Sequence, residues 1–266
     1  MADAVVKYTE EQGATAATTS WVDTATLPNT DFVVGKTYLI LANQICKINN
    51  AASDVRVRLV HGPTPTVFDD GSLAWEGSGN TQEHELSYMF LYTQPGTAEL
   101  VKLQISNSAT NTVTSIFSQI IAIKLSDDFT SETNYFWNEF LTDYTITTTP
   151  TAKAITSSFT PNGTDRWLFI GHMIYDVVSI TDEIGFELYD SVAGVLSLMQ
   201  EEGEDATNDF KSANLYWAGV PTNAARTLAV RPFNEGGSNV MLASRVIAIN
   251  LSKFAQSASV FTQIRS

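Results

Sequence analysis

Ile121-Ala122-Ile123-Lys124-Leu125-Ser126 recurs as Ile247-Ala248-Ile249-Asn250-Leu251-Ser252, with five of six positions identical and a spacing of 126 residues. A phenylalanine follows each block, Phe129 or Phe254. The spacing is the size of one ordinary domain, so the chain reads as a duplication. Working outward, Tyr38-Leu39-Ile40-Leu41 corresponds to Trp167-Leu168-Phe169-Ile170 at a spacing of 129. Val55, Val57 and Leu59 alternate with Arg56 and Arg58, and Ile184, Phe186 and Leu188 alternate with Gly185 and Glu187 at the same spacing. Val101, Leu103 and Ile105 find their counterpart in Leu228, Val230 and Pro232. Alternation at period two marks half-buried strands. Small insertions between the matched segments fall in polar loops, where they are tolerated.

Each unit yields about seven or eight strands, punctuated by turn-forming clusters such as Asn49-Asn50-Ala51-Ala52-Ser53 and Pro161-Asn162-Gly163-Thr164. Several strands could reach about 10–12 residues, or about 33–40 Å. Strands this long fit an all-β chain of two tandem jelly-roll-like β-sandwich domains. An immunoglobulin-like sandwich, usually built of shorter strands, is the alternative. The expected divisions are a flexible arm (1–18), a first sandwich (19–129), an aromatic linker (130–150), a second sandwich (151–254) and a C-terminal tail (255–266). In the linker, Tyr135, Phe136, Trp137 and Phe140 are expected either to pack between the sandwiches or to present a docking patch.

The 266 residues carry a net charge of −14. Residues 1–129 hold 7 Lys+Arg and 14 Asp+Glu, and the remainder holds 8 and 15. The acidity is therefore a property of the repeating unit. It argues against nucleic acid, which requires clustered Lys and Arg, and against anionic membranes. No apolar run approaches the ~20 residues of a membrane span. The N-terminus lacks the basic and apolar regions of a secretory signal, so a reduced cytoplasm is the expected site of synthesis. The single cysteine, Cys46, reads as a small core residue.

Chemistry is sparse. No nucleophile elbow, phosphate-binding loop or dinucleotide fingerprint occurs, and neither an enzyme nor a cofactor is expected. His84 opposes Glu83 and Glu85 across a strand, a poor arrangement for a metal. Glu201, Glu202, Glu204 and Asp205, with Asp209 nearby, form an acidic loop that could take calcium but lacks EF-hand spacing. Glu76 and Glu83, near Trp75, are the obvious carboxylates if the chain were a glycosidase. Trp75, Tyr88, Tyr92, Tyr216 and Trp217 could stack on sugars, or else fill the cores.

The duplicated strand patterns ending in Ile121-Ala122-Ile123 and Ile247-Ala248-Ile249 resemble the architecture of tandem β-sandwich decoration or cement proteins of tailed-phage virions, over about residues 19–254. The resemblance implies a structural protein on the capsid surface, bound to the major capsid protein, often as a homotrimer, and without catalysis. It also implies synthesis in the host cytoplasm. Two equivalent sandwiches taken three times would give a pseudo-sixfold ring. The alternative function is a carbohydrate-binding or receptor-binding module.

Overall fold

A computed structural model describes residues 6–17, 19–48, 54–76, 83–108, 112–125, 133–177, 183–202, 209–236 and 239–253. Eight strands build the first sandwich: β1 (Val6–Ala17), β2 (Val22–Leu27), β3 (Thr37–Ile48), β4 (Asp54–His61), β5 (Thr66–Glu76), β6 (Glu83–Thr93), β7 (Val101–Asn107) and β8 (Val113–Lys124). They form two antiparallel sheets, ordered β1-β8-β3-β6 and β2-β7-β4-β5. Each sheet interleaves early and late strands, which is the eight-stranded, double Greek-key order of a jelly roll.

The second sandwich repeats the pattern with β9 (Tyr135–Phe140), β10 (Tyr144–Thr145), β11 (Trp167–Val177), β12 (Glu183–Asp190), β13 (Gly194–Glu202), β14 (Asp209–Gly219), β15 (Leu228–Asn234) and β16 (Val240–Asn250). One sheet places β9 and β10 beside β16, then β11 and β14. The other runs β13-β12-β15. Its fourth position is taken by residues 151–156: Lys153 N donates to Val230 O at 2.9 Å, Val230 N to Ala154 O at 3.0 Å and Thr156 N to Leu228 O at 2.9 Å.

Two expected divisions are corrected by this pairing. The flexible arm is instead an edge strand: β1 runs antiparallel to β8 from Val6 opposite Ile123 to Ala17 opposite Val113. The aromatic linker holds the equivalent strand of the second copy, with Tyr135 opposite Ile249 and Phe140 opposite Ser244. Main-chain pairing explains why β1 needs no apolar run. An edge strand must satisfy hydrogen bonds on one side only, and Ala17 is its buried anchor. The expected tail (255–266) lies outside the described residues.

Each sandwich has its own core, and Ile174 and Ala243 of the second sandwich pack onto the first. Tyr38, Ile40, Val55, Val57, Leu59, Tyr88 and Phe90 contribute to the first; Trp167, Phe169, Ile184, Phe186, Leu188, Leu228 and Val230 to the second. In the second, Phe136, Phe159 and Trp167 stack in series, with centroids 4.6 Å and 5.1 Å apart. Cys46 is fully buried, and burial pushes its thiol pKa far up. It is a packing residue with no accessible thiolate.

Candidate functional site

The duplicated block lies where the two copies meet. In β8, Ile120 and Ala122 point into the first core, while Ile121 and Ile123 point the other way, with Leu125 just beyond the strand. In β16, Val246 and Ala248 point into the second core, and Ile247, Ile249 and the following Leu251 point out. The outward sets meet in a third apolar cluster. It joins Leu39, Leu41 and Met89 of the first sandwich to Tyr135, Leu168 and Ile170 of the second, all buried. Fully burying one such side chain is worth about 1.5–3 kcal/mol relative to leaving it exposed. The seam uses matching positions from each copy: Leu39 with Leu168, Leu41 with Ile170, and the two six-residue blocks. Contacts built from the same patch on both partners are isologous. The chain is thus a four-layer stack of sheets in which the central strands of the two inner sheets are apolar on both faces around the repeated blocks.

One end of the seam is polar and belongs to the second copy. His172 and Arg245 are strand neighbours on β11 and β16; Asn43 and Gln119 hold the corresponding neighbouring positions on β3 and β8. Arg245 is fully buried. Its guanidinium lies 4.4 Å from the centre of the Phe90 ring, and its Nε is 3.5 Å from Glu139 Oε2. Nε2–H of His172 donates to the Ser87 carbonyl at 3.1 Å, and Ser87 N donates to Ser212 Oγ at 2.8 Å. Burial pushes the His172 pKa down to about 3, aided by the nearby Arg245 and opposed by the Ser87 hydrogen bond. The imidazole is neutral at neutral pH, so Arg245 is spared a like charge.

A second pair of equivalent sites closes one corner of each sandwich. His61 is the last residue of β4, and Glu99 precedes β7 by two positions; Asp190 is the last residue of β12, and Arg226 precedes β15 by two. His61 Nδ1 is 2.7 Å from Glu99 Oε2, and Tyr92 Oη donates to the same oxygen at 2.9 Å. The contact with His61, then the one with Tyr92, hold the Glu99 carboxyl below its usual range. Gly62, at φ 84°, makes the turn beside it; a side chain there would be strained and would crowd Thr64 O at 3.3 Å. In the second copy Arg226 Nη1 binds Asp190 Oδ2 directly. Arg226 Nη2 donates to Thr222 O at 2.7 Å and Thr222 Oγ1 at 2.8 Å, while Asp190 Oδ1 accepts from Val192 N at 2.8 Å. The geometry repeats while acid and base exchange places.

The sequence-predicted residues divide. Tyr135 lies in the seam and Trp137 packs against it; Phe136 belongs to the second core and Phe140 packs there. They tie β9 to the seam and to the second core, with Tyr135 and Phe136 buried and Trp137 and Phe140 half-buried. Glu201 and Glu202 end β13, while Glu204 and Asp205 lie outside the described residues. Among the described residues, no group of three His, Cys, Asp or Glu could hold a metal ion. Of the aromatics that could stack on sugars or fill the cores, Tyr88 and Tyr92 are core residues, Trp217 stacks on Phe169 with centroids 4.7 Å apart, Tyr216 is exposed, and the side chain of Trp75 lies outside the described residues. Packing between the sandwiches, expected of the aromatic run, is found for Tyr135 and Trp137, while the strand faces that form the rest of the seam were not read from the sequence. Their signal was the unbroken apolar character of Tyr38-Leu39-Ile40-Leu41 and Trp167-Leu168-Phe169-Ile170, since a strand covered on both faces loses its alternation.

No protein-family model matches the chain, and no curated protein matches its sequence. Solved structures similar to it include the tandem CBM22-1–CBM22-2 domains of Xyn10C from Paenibacillus barcinonensis, at 11% identity and a TM-score of 0.31, covering 92% of this chain and 91% of that one. A putative secreted protein from Parabacteroides distasonis shares 10% identity over 93% and 90% of the two chains, with a TM-score of 0.25. The infectious bursal disease virus structure (Gt strain) shares 7% identity over 83% of this chain and 58% of its own, with a TM-score of 0.29. Likenesses this distant carry no argument about function, and the jelly-roll order stands on the chain's own strand pairing.

Proposed function

We propose that the chain is a non-enzymatic structural protein of a virion, decorating and stabilising the outer surface of a phage head by binding the major capsid protein. The observation that supports this reading is the isologous seam. It fixes two related jelly rolls as one block, so three copies of the chain would present six similar sandwiches, the repeat of a hexagonal lattice. A homotrimer is the assembly this reading calls for. The shared negative charge of the two copies fits a surface protein that must remain soluble before it docks.

Co-sedimentation with undecorated heads tests the proposal. Saturable binding to particles, with a raised temperature of head disruption, is the expected result. No binding to such particles at any ratio would overturn it. The alternative, a carbohydrate-binding module, now depends on Tyr216, the exposed member of the aromatic set on β14. A glycan array gives its signature: binding lost on Tyr216→Ala, with the fold intact.

A further inference from the structure

The two outward sheet faces of the stack differ in chemistry although they occupy equivalent positions. In the first sandwich the outward face of β2, β7 and β4 is charged. Lys102 Nζ is 2.6 Å from Asp23 Oδ2, Arg58 Nε donates to Gln104 Oε1 at 2.8 Å, and Arg56 is exposed. In the second, the same face carries Ile155, Val195 and Leu198, exposed by 41%, 50% and 51%. Half-buried Tyr189 and Phe233 share it. Strand register puts these groups together: Tyr189 lies opposite both Val195 and Ala229, and Glu187 opposite both Leu198 and Arg231. The central charges cancel, with Arg231 Nε 3.2 Å from Glu187 Oε2 and the guanidinium 4.1 Å from the Tyr189 ring centre.

We propose that this face is a contact surface for a second copy of the chain, related by a twofold axis. Two observations favour that occupant. Away from Glu183 at the start of β12, the centre of the face pairs one acid with one base, so two chains of net charge −14 can approach there without opposing like charges. An axis through that centre would bring Arg231 of one copy toward Glu187 of the other. The seam, finally, shows the same kind of contact already made within one chain: like sheet faces of two related sandwiches bury each other. The proposal goes beyond capsid binding and does not depend on it.

Light scattering on the purified full chain tests the proposal, with Val195→Glu/Leu198→Glu and Ile155→Lys as variants. The expected result is an even-numbered assembly whose mass halves in the double variant and in Ile155→Lys. Arg56→Glu, on the opposite outward face, should leave the mass unchanged. Unaltered circular dichroism and thermal midpoint in the variants would show that the fold survives. A monomeric wild type at every concentration, or a mass unmoved by both variants, overturns the contact. A trimer unaffected by them also overturns it while leaving the decoration reading standing; a hexamer that falls to trimers supports both.

Discussion

The two corner pairs solve one geometric problem in two chemical settings. His61–Glu99 and Asp190–Arg226 sit at matching strand ends. The first pair keeps roughly a quarter of each side chain accessible to water; the second is 2% and 1% exposed. A partly exposed pair exchanges protein contacts for water at little loss. A buried pair cannot, because each charge has already lost its hydration. Duplication copies the position, and burial then decides how much the chemistry there matters.

The largest test of this contrast is Arg226→Ala. It strands the Asp190 carboxylate in the interior and should cost about 3–5 kcal/mol, read from the denaturant midpoint. Next is the seam, where equivalence predicts equality. Ile121→Ala and Ile247→Ala should each cost about 3 kcal/mol, and a large disparity would show that only one copy depends on the contact.

Smaller, per pH unit, is the acid response of the seam. His172 is neutral in the folded chain, with a pKa near 3, against 6.5 when free. Between those values the unfolded chain binds the extra proton, so stability is complete above about pH 6.5 and falls on acidification toward pH 3. The slope from this group is about 1.4 kcal/mol per pH unit. His172→Asn, which imports the residue found at position 43, should flatten the profile across that window. Smallest is Glu99→Gln, which should cost about 1 kcal/mol or less at neutral pH. Its carboxyl is held below the free value of 4.5. The contribution is therefore present above that pH and disappears as pH falls through the lowered value. Equal costs for Glu99→Gln and Arg226→Ala would break the comparison between the corners.

How much of this was legible varied with the kind of contact. Alternation at Val55 to Leu59 and at Ile184 to Leu188 marked strands directly, because period two is a local property. The aromatic run at Tyr135 to Phe140 was misread as a linker. Its partner strand, β16, lies about a hundred residues onward, and pairing across that distance leaves no local trace. The polar run of β1 misled for a related reason: backbone hydrogen bonds hold it, and they are the same for every residue type. The corner clusters were invisible as pairs. His61 and Glu99, or Asp190 and Arg226, come together only when two strands align.

By itself the sequence determined the duplication, the strands and the jelly-roll class, because repetition and period two are written in residue order. Only the tertiary structure decided which face of Ile121-Ala122-Ile123 and Ile247-Ala248-Ile249 turns inward. Alternation states that a strand has two faces; it does not state what covers each. When both faces are apolar, the choice between a sandwich's own core and its neighbour is made by sheet-on-sheet packing. Here that packing turned the repeated block into the seam between its own two copies.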